Sequence, residues 1–149
     1  MMIESLKELF NRDLKKLKHE LSLYQDDSTI WKIENSISNS GGNLCLHLIG
    51  NLKTYIGNGL AKTTYIRQRE LEFSAKFVDR EEIYKQIDET IEVVSDGLSQ
   101  LTEEDLKGNF PIIIWEKETG MGFTLMHLHS HLNYHLGQIN YHRRILEKG

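Results

Sequence analysis

Apolar residues recur every three or four positions in four long stretches of this chain. In the first stretch, lysines and glutamates such as Lys7, Glu8, Lys15, Lys16 and Glu20 lie between them. Its apolar positions are Ile3, Leu6, Phe10, Leu14, Leu17, Leu21 and Tyr24. Since an α-helix turns once every 3.6 residues, this spacing places the apolar side chains on one face. The stretch predicts an amphipathic helix from Ile3 to about Tyr24 with one buried face.

The second and third stretches also predict helices, each with a polar residue at its start. The second helix is expected over about residues 40–60, with a serine or asparagine as its N-cap. The third begins at Asp79, which together with Glu82 resembles a capping box. Its apolar stripe continues without interruption to Leu101.

The fourth helix is expected from Thr124, its predicted cap, to about Glu147. Two long connections, residues 61–78 and 102–122, carry no helical period. In simple up-and-down bundles, neighbouring helices are joined by about two to eight residues. The greater length of these two connections predicts crossovers, or loops that cover a site. Residues 110–115 are a β-like run, which we interpret as an extended flap because a single hairpin is marginal alone. The pattern predicts an all-α four-helix bundle with long crossover connections and a short extended flap before the last helix.

Composition and charge narrow the class of protein. A chain of 149 residues is long enough for one domain with a real core, expected over residues 1–149. The net charge of −4 lacks the basic footprint of a nucleic-acid binder. No apolar run approaches the roughly 18 residues of a membrane span, and the first residues have no signal-peptide pattern. A single cysteine, Cys45, excludes an intrachain disulfide and suits a reducing cytoplasm, so we expect a cytoplasmic protein.

Histidines are concentrated in the last predicted helix, where five of the seven lie between residues 127 and 142. His127, His131 and His135 stand four residues apart, which places them on one face of an α-helix. An adjacent pair can bind one divalent ion at about 2.0–2.1 Å per nitrogen. All three together span roughly 12 Å of helix, so a third ligand must come from another segment. His129 is expected to face away from this row.

His47 is the candidate for that third ligand, because its helix is the only other one with a histidine beside the core face. The alternative is a buried His47 satisfied by a backbone carbonyl, with the histidines of the last helix solvated. Asn51 and Gln138 are candidates for orienting the ligands by hydrogen bonds, or for simple helix packing. The chain has no H-E-x-x-H motif, so this is not a zincin site.

Other residues near these motifs also have two interpretations. Arg67 and Arg69 could hold a substrate carboxylate or phosphate through paired N–H donors. They could equally form structural ion pairs with glutamates such as Glu70 or Glu72. Gly137 is predicted to permit the close approach of another helix.

Together, the two histidine segments resemble the DinB-like metalloproteins. Residues 127–139 look like that superfamily's C-terminal signature, with histidines at every fourth position followed by Gly-Gln. Residues 40–51 resemble its second helix, with a His-Leu-x-Gly-Asn pattern that begins at His47. The resemblance is closest to a bacterial subgroup of unknown function. At position 136 leucine replaces the arginine common in the superfamily, so no role for that arginine is carried over.

The resemblance implies a crossed four-helix bundle, often a homodimer, that binds Zn²⁺ or Ni²⁺ with open coordination positions. The superfamily's ligands correspond to His47, His131 and His135, which leaves His127 one turn away. Characterised relatives include transferases that use low-molecular-weight bacterial thiols and a thiol-dependent isomerase. Such a metal can activate a thiol or water as a nucleophile.

Three hypotheses about function remain at this point. The first is a metalloenzyme that transfers a low-molecular-weight thiol, or water, to a small electrophilic substrate. The second is a non-catalytic metal-binding or stress-related protein in which the site only stabilises the bundle. The third is a bundle whose histidines bind nothing. An open coordination position near polar groups would favour catalysis, whereas a fourth protein ligand such as His127 would favour a structural role.

Overall fold

The computed structural model describes residues 1–34 and 36–147. Its helices are α1 (Met2–Ser22), α2 (Gly41–Leu52), α3 (Arg69–Ser74), α4 (Arg80–Ser99) and α5 (Met121–Leu146). No β-strand occurs in these two ranges, and four of the five helices are long. The predicted all-α bundle is therefore confirmed. Within the described ranges, no helix has the length and apolar character needed to cross a membrane.

Short helical segments of other types extend or connect the long helices. α2 continues without a break into a π-helix, Lys53–Ala61, so the two together cover the predicted second helix. This segment ends at Lys62, whose φ of 60° turns the chain into the left-handed region. Two 3-10 helices, Asp27–Trp31 and Glu104–Lys107, lie in the connections after α1 and α4. The wider π turn places the end of this long helix against α4.

The bundle has a crossed arrangement in which helices that follow one another in the chain are not always neighbours. α1 packs mainly against α4 and α5 and touches α2 only slightly. α2 packs against α5, α3 and α4. The connections from α1 to α2 and from α4 to α5 therefore pass across the bundle. The length of residues 102–122 predicted such a crossover, whereas residues 61–78 instead link two neighbouring helices and carry α3.

The apolar stripes of the sequence meet in the bundle interior. Among the described residues, those almost fully buried include Phe10, Leu14, Leu17, Leu21, Leu48, Leu52, Ile83, Ile87, Leu98, Leu125, Leu128, Leu132 and Ile139. Burying one such side chain stabilises the fold by about 1.5–3 kcal/mol, so these stripes hold α2 and α5 in a fixed register. Cys45 is also buried in this core.

Two predicted residues cap their helices and one does not, although Asp79 caps through the N–H of Glu81 rather than in the capping box expected with Glu82. The Ser40 hydroxyl accepts a hydrogen bond from the backbone N–H of Asn43 at 3.1 Å, and the Asp79 carboxylate accepts one from the N–H of Glu81 at 3.4 Å. Thr124 is not a cap: α5 begins three residues earlier, and the Thr124 hydroxyl donates to the carbonyl of Gly120 inside the helix. The earlier start buries Met121.

Two connections also differ in detail from the sequence-based expectation. Residues 61–78 were predicted to lack a helix, yet they contain α3, a helix too short to show a period. Residues 109–120 form the flap, held by two isolated β-bridges, Asn109 with Gly120 and Trp115 with Lys117. Its tip reaches the histidine-bearing face of α5, because the Trp115 ring contacts the His127 ring at a centroid distance of 4.6 Å.

Candidate metal centre

Three histidines from two helices converge at one point in the bundle. α2 provides His47, and α5 provides His131 and His135 one turn apart. The Nε2 atom of His131 lies 3.2 Å from Nε2 of His47 and 3.1 Å from Nε2 of His135. One ring nitrogen from each of the three lies within 4.8 Å of the others. Nitrogens at this separation are close enough to share a single divalent ion.

Burial keeps two of these imidazoles, His131 and His135, in the neutral form that binds metals. Burial, together with the neighbouring His135, His47 and His127, lowers the pKa of His131 to about 4. Burial also lowers the pKa of His135. A neutral imidazole offers a lone pair to a metal, whereas a protonated one does not. At neutral pH, His131 and His135 therefore each offer a lone pair to a cation.

A carboxylate on α3 orients His47 from behind. The Nδ1 atom of His47 lies 3.0 Å from Oε1 of Glu72, so its N–H donates to the carboxylate and leaves Nε2 bare. Arg67 donates to the same carboxylate from Nε at 2.8 Å and from Nη2 at 3.0 Å. Burial opposes ionisation of Glu72, but the hydrogen bonds from His47 and Arg67 hold its pKa below the usual value. The buried carboxylate therefore stays charged beside the cluster.

Glu72 was missed as a site residue, although it was named as an ion-pair partner for the arginines. The one sequence feature that points to Glu72 is a glycine on α2, Gly50 of the His-Leu-x-Gly-Asn pattern. A Cβ atom on Gly50 would lie 2.6 Å from Cδ of Glu72 and closer still to its Oε2. Gly50 is therefore required for the close approach of the Glu72 carboxylate to α2. Gly137 has no such role within the described residues, since a Cβ atom there would meet no heavy atom within 4 Å beyond its own stretch of helix.

Gln138 and Asn51 lie beside the other two histidines. The Nδ1 atom of His135 lies 2.7 Å from Oε1 of Gln138, so the ring N–H donates to the amide oxygen and leaves Nε2 bare. Nδ1 of His131 and Oδ1 of Asn51 are both buried, and neither has a hydrogen-bond partner among residues 1–34 and 36–147. One is a potential donor and the other an acceptor, so their needs are complementary.

His127 lies outside the cluster but next to it. Its ring is stacked on that of His131, at a centroid distance of 6.3 Å, and packs edge-on against Trp115 at 4.6 Å. A cavity of about 360 Å³ opens at this point. Its lining comprises His47, Asn51, Tyr55, Arg67, Arg69, Ile114, Trp115, His127, Leu128 and His131. The flap therefore forms one wall of a pocket whose floor includes two of the clustered histidines.

The remaining histidines of α5 have other partners. The N–H of His129 donates to Oδ2 of Asp13 on α1 at 2.7 Å, on the far side of the helix. His142 is buried between the Tyr24 hydroxyl, 2.7 Å from Nδ1, and the carbonyl of Lys32, 2.8 Å from Nε2. These contacts agree with the expectation that His129 faces away from the row, and they make His142 a packing residue.

A family described as "Protein of unknown function (DUF1572)" matches residues 1–149. The chain therefore belongs to this uncharacterised family. No curated protein matches the chain. No solved structure matches it either.

Proposed function

We propose that the chain is a metalloprotein in which His47, His131 and His135 hold one divalent ion, Zn²⁺ or Ni²⁺. The main support is the convergence of three Nε2 atoms, two of which are left bare by hydrogen bonds at the opposite nitrogen. Three imidazoles suit either metal by ligand type. The carboxylate behind His47 is one of the partners, with backbone carbonyls and water, to which metal-binding histidines donate their second ring N–H.

We also propose that Asn51 and Gln138 act behind these ligands. Gln138 already fixes the ring of His135. Metal binding at Nε2 of His131 would place the ring proton on Nδ1, and the buried Oδ1 of Asn51 is an acceptor that has no donor among the described residues. The arrangement thus provides hydrogen-bond partners for His47 and His135, and a complementary acceptor for His131 in the lining of the same pocket.

Membership of the DinB-like superfamily is part of the same proposal. The crossed order of the helices, and the joining of the two histidine motifs into one cluster, both agree with what that resemblance implies. The resemblance also implies a homodimer, and light scattering at micromolar concentration will test this. A monomer there would remove the homodimer from the proposal.

The activity that the site supports best is transfer of a low-molecular-weight thiol, or water, to a small electrophilic substrate. Three protein ligands leave a coordination position open, as in catalytic rather than structural zinc sites. When bound, the ion would supply the Lewis acidity that lowers the pKa of a thiol or water. Trp115 and Leu128 would exclude bulk water from the pocket. His127, in the pocket but outside the cluster, is placed to take up a proton during the reaction.

The test is metal analysis of protein purified without a histidine tag. We expect about one ion per chain in the wild type and loss of most of it in His47→Ala, His131→Ala and His135→Ala. His129→Ala is the matched control on the same helix and should retain the metal. A His131→Ala variant that retains its metal would refute the site.

His127→Ala separates the catalytic proposal from the alternative of a non-catalytic metal-binding protein. If His127 only assists the reaction, its replacement should leave the metal content unchanged. Loss of metal from His127→Ala would identify it as a fourth ligand, which is expected of a structural site.

A further inference from the structure

The pocket beside the three histidines is positively charged in a chain whose net charge is −4. Arg67 and Arg69 line it, and none of the aspartates and glutamates in the described ranges is among its lining residues. A second cleft, lined in part by residues 63–65, has the opposite character, because its lining holds Glu89, Glu92 and Asp96 against one lysine, Lys53. The positive charge is therefore a local property of the pocket. A cation in the histidine cluster would increase it further.

The two arginines differ in how their charge is used. Arg67 is mostly buried and forms a two-pronged ion pair with Glu72, and its guanidinium also lies over the Tyr55 ring. Its charge is largely neutralised within the protein. Arg69 is exposed, and no carboxylate of the described residues lies within 4.0 Å of its guanidinium nitrogens. Arg69 therefore contributes an uncompensated positive charge to the pocket wall.

The walls of the pocket are suited to an organic rather than an inorganic anion. Trp115, Ile114 and Leu128 provide apolar and aromatic surface next to the charged residues. The cavity volume of about 360 Å³ is at the low end of the range for small-molecule sites. A single uncompensated guanidinium matches one carboxylate in charge and in its paired hydrogen-bond geometry.

We propose that this pocket binds a small organic carboxylate, and that Arg69 is the residue that binds its carboxylate group. The inference rests on the proposed function, because in that function the molecule that bears the carboxylate is either the electrophilic substrate or the low-molecular-weight thiol. Arg69 holds the anionic end of the molecule at the pocket wall. The rest of the molecule lies along Trp115 towards the histidine cluster.

Benzoate and its neutral counterpart benzamide are suitable probes, since they have the same shape and differ in charge. Calorimetric titrations would compare wild type with Arg69→Gln, each in zinc-loaded and metal-depleted form. We expect wild type to prefer benzoate to benzamide in both forms, and Arg69→Gln to weaken benzoate binding by about tenfold. Benzamide binding should not change. Arg144→Gln, a variant of an exposed arginine on α5 outside the pocket lining, is the control and should bind benzoate as wild type does.

The metal forms distinguish this proposal from a simpler one. If the probe's carboxylate binds only to the zinc ion, benzoate affinity will depend on zinc and not on Arg69, which overturns the assignment. Equal benzoate affinity in wild type and Arg69→Gln overturns it as well. The metal content of the same samples is measured in parallel. A protein that holds no zinc but still loses benzoate binding in Arg69→Gln would refute the metal site and leave the carboxylate site standing.

Discussion

The two faces of α5 carry histidines in opposite chemical situations. On the face towards α2, the Nε2 atom of His131 faces two other imidazole nitrogens, Nε2 of His47 and Nε2 of His135. On the face towards α1, His129 donates to the buried carboxylate of Asp13 at 2.7 Å. Asn133 donates to the same oxygen at 2.9 Å, so this group of side chains is closed on itself.

This difference separates a structural network from a ligand site. A buried donor that meets a buried acceptor needs nothing further, and such pairs stabilise one arrangement of two helices. Ring nitrogens that carry no proton cannot form hydrogen bonds with one another. A cation can accept a lone pair from each of them, so it is the partner that suits all three. The number of histidines on α5 is therefore less informative than the identity of the atom that each one faces.

The largest expected effect is on the α1 face. Asp13→Ala should lower the free energy of unfolding by about 3 kcal/mol, because it leaves the buried donors of His129 and Asn133 without their acceptor. Urea unfolding measures this. Asp88→Ala, which removes a surface ion pair with Lys18, should cost less than about 1 kcal/mol. The metal content of Asp13→Ala should stay at the wild-type value, and its loss would mean that the two faces are not independent.

The Asp13 carboxylate also makes the free energy of unfolding depend on pH in the acid range. Burial opposes the ionisation of Asp13, but hydrogen bonds from Arg12, Asn133 and His129 lower its pKa from 3.8 to about 2. A pKa lowered by folding stabilises the protein above pH 3.8, and this contribution is lost as the pH falls towards 2. The difference corresponds to about 2 kcal/mol.

Unfolding of metal-depleted protein between pH 5 and pH 2.5 will measure most of this loss, because the range spans the ordinary pKa of 3.8 and approaches the folded-state pKa of about 2. Over this range the free energy of unfolding should fall less in Asp13→Asn than in wild type. The difference between the two falls should be most of the contribution of about 2 kcal/mol. Parallel curves for the two proteins would show that Asp13 does not have a lowered pKa.

The next effect concerns the α2 face. Glu72→Gln should weaken metal binding by about 10- to 100-fold, because the carboxylate that fixes the His47 ring is replaced by a neutral amide. Competition with a chromogenic chelator measures this affinity. Glu70→Gln is the matched control on the same short helix and should bind metal as wild type does. An unchanged affinity in Glu72→Gln would show that the ring of His47 is positioned by packing alone.

The sequence identified the members of the histidine cluster more readily than their surroundings. The spacing of His131 and His135 is a local property of one helix, and helix periodicity alone placed His129 on another face. The partners of these residues are not local. Glu72 lies on a helix of six residues that has no period to recognise, and Asp13 meets His129 across 116 positions of the chain. Only packing of the folded chain brings these carboxylates to the histidines.

The starts of the helices also show that local sequence does not reveal the effects of packing. A serine before an apolar run predicts a cap at Ser40, and its hydroxyl does cap α2. The same reasoning predicts Thr124 as the cap of α5 and is wrong, because burial of Met121 favours three further helical residues before it. A cap signal gives a local preference that the packing of one nearby apolar side chain can override.

The smallest effect compares the glycine of each histidine motif. Gly50→Ala would usually stabilise a helix interior by about 1 kcal/mol. Here the added methyl group would occupy the position of the Glu72 carboxylate, which His47 and Arg67 hold in place. The carboxylate must move away from His47, so we expect metal affinity to fall by about tenfold, the lower end of the effect of Glu72→Gln.

Gly137→Ala is the matched control, since its site on α5 has open space for a methyl group within the described chain. It should raise the free energy of unfolding by about 0.5–1 kcal/mol and leave metal affinity unchanged. The chelator competition and urea unfolding measure both quantities on the two variants. If Gly50→Ala binds metal as tightly as wild type, the approach of Glu72 to α2 is not needed for the site. If Gly137→Ala is destabilising and light scattering shows a change in mass, a second copy of the chain packs against α5 at that glycine.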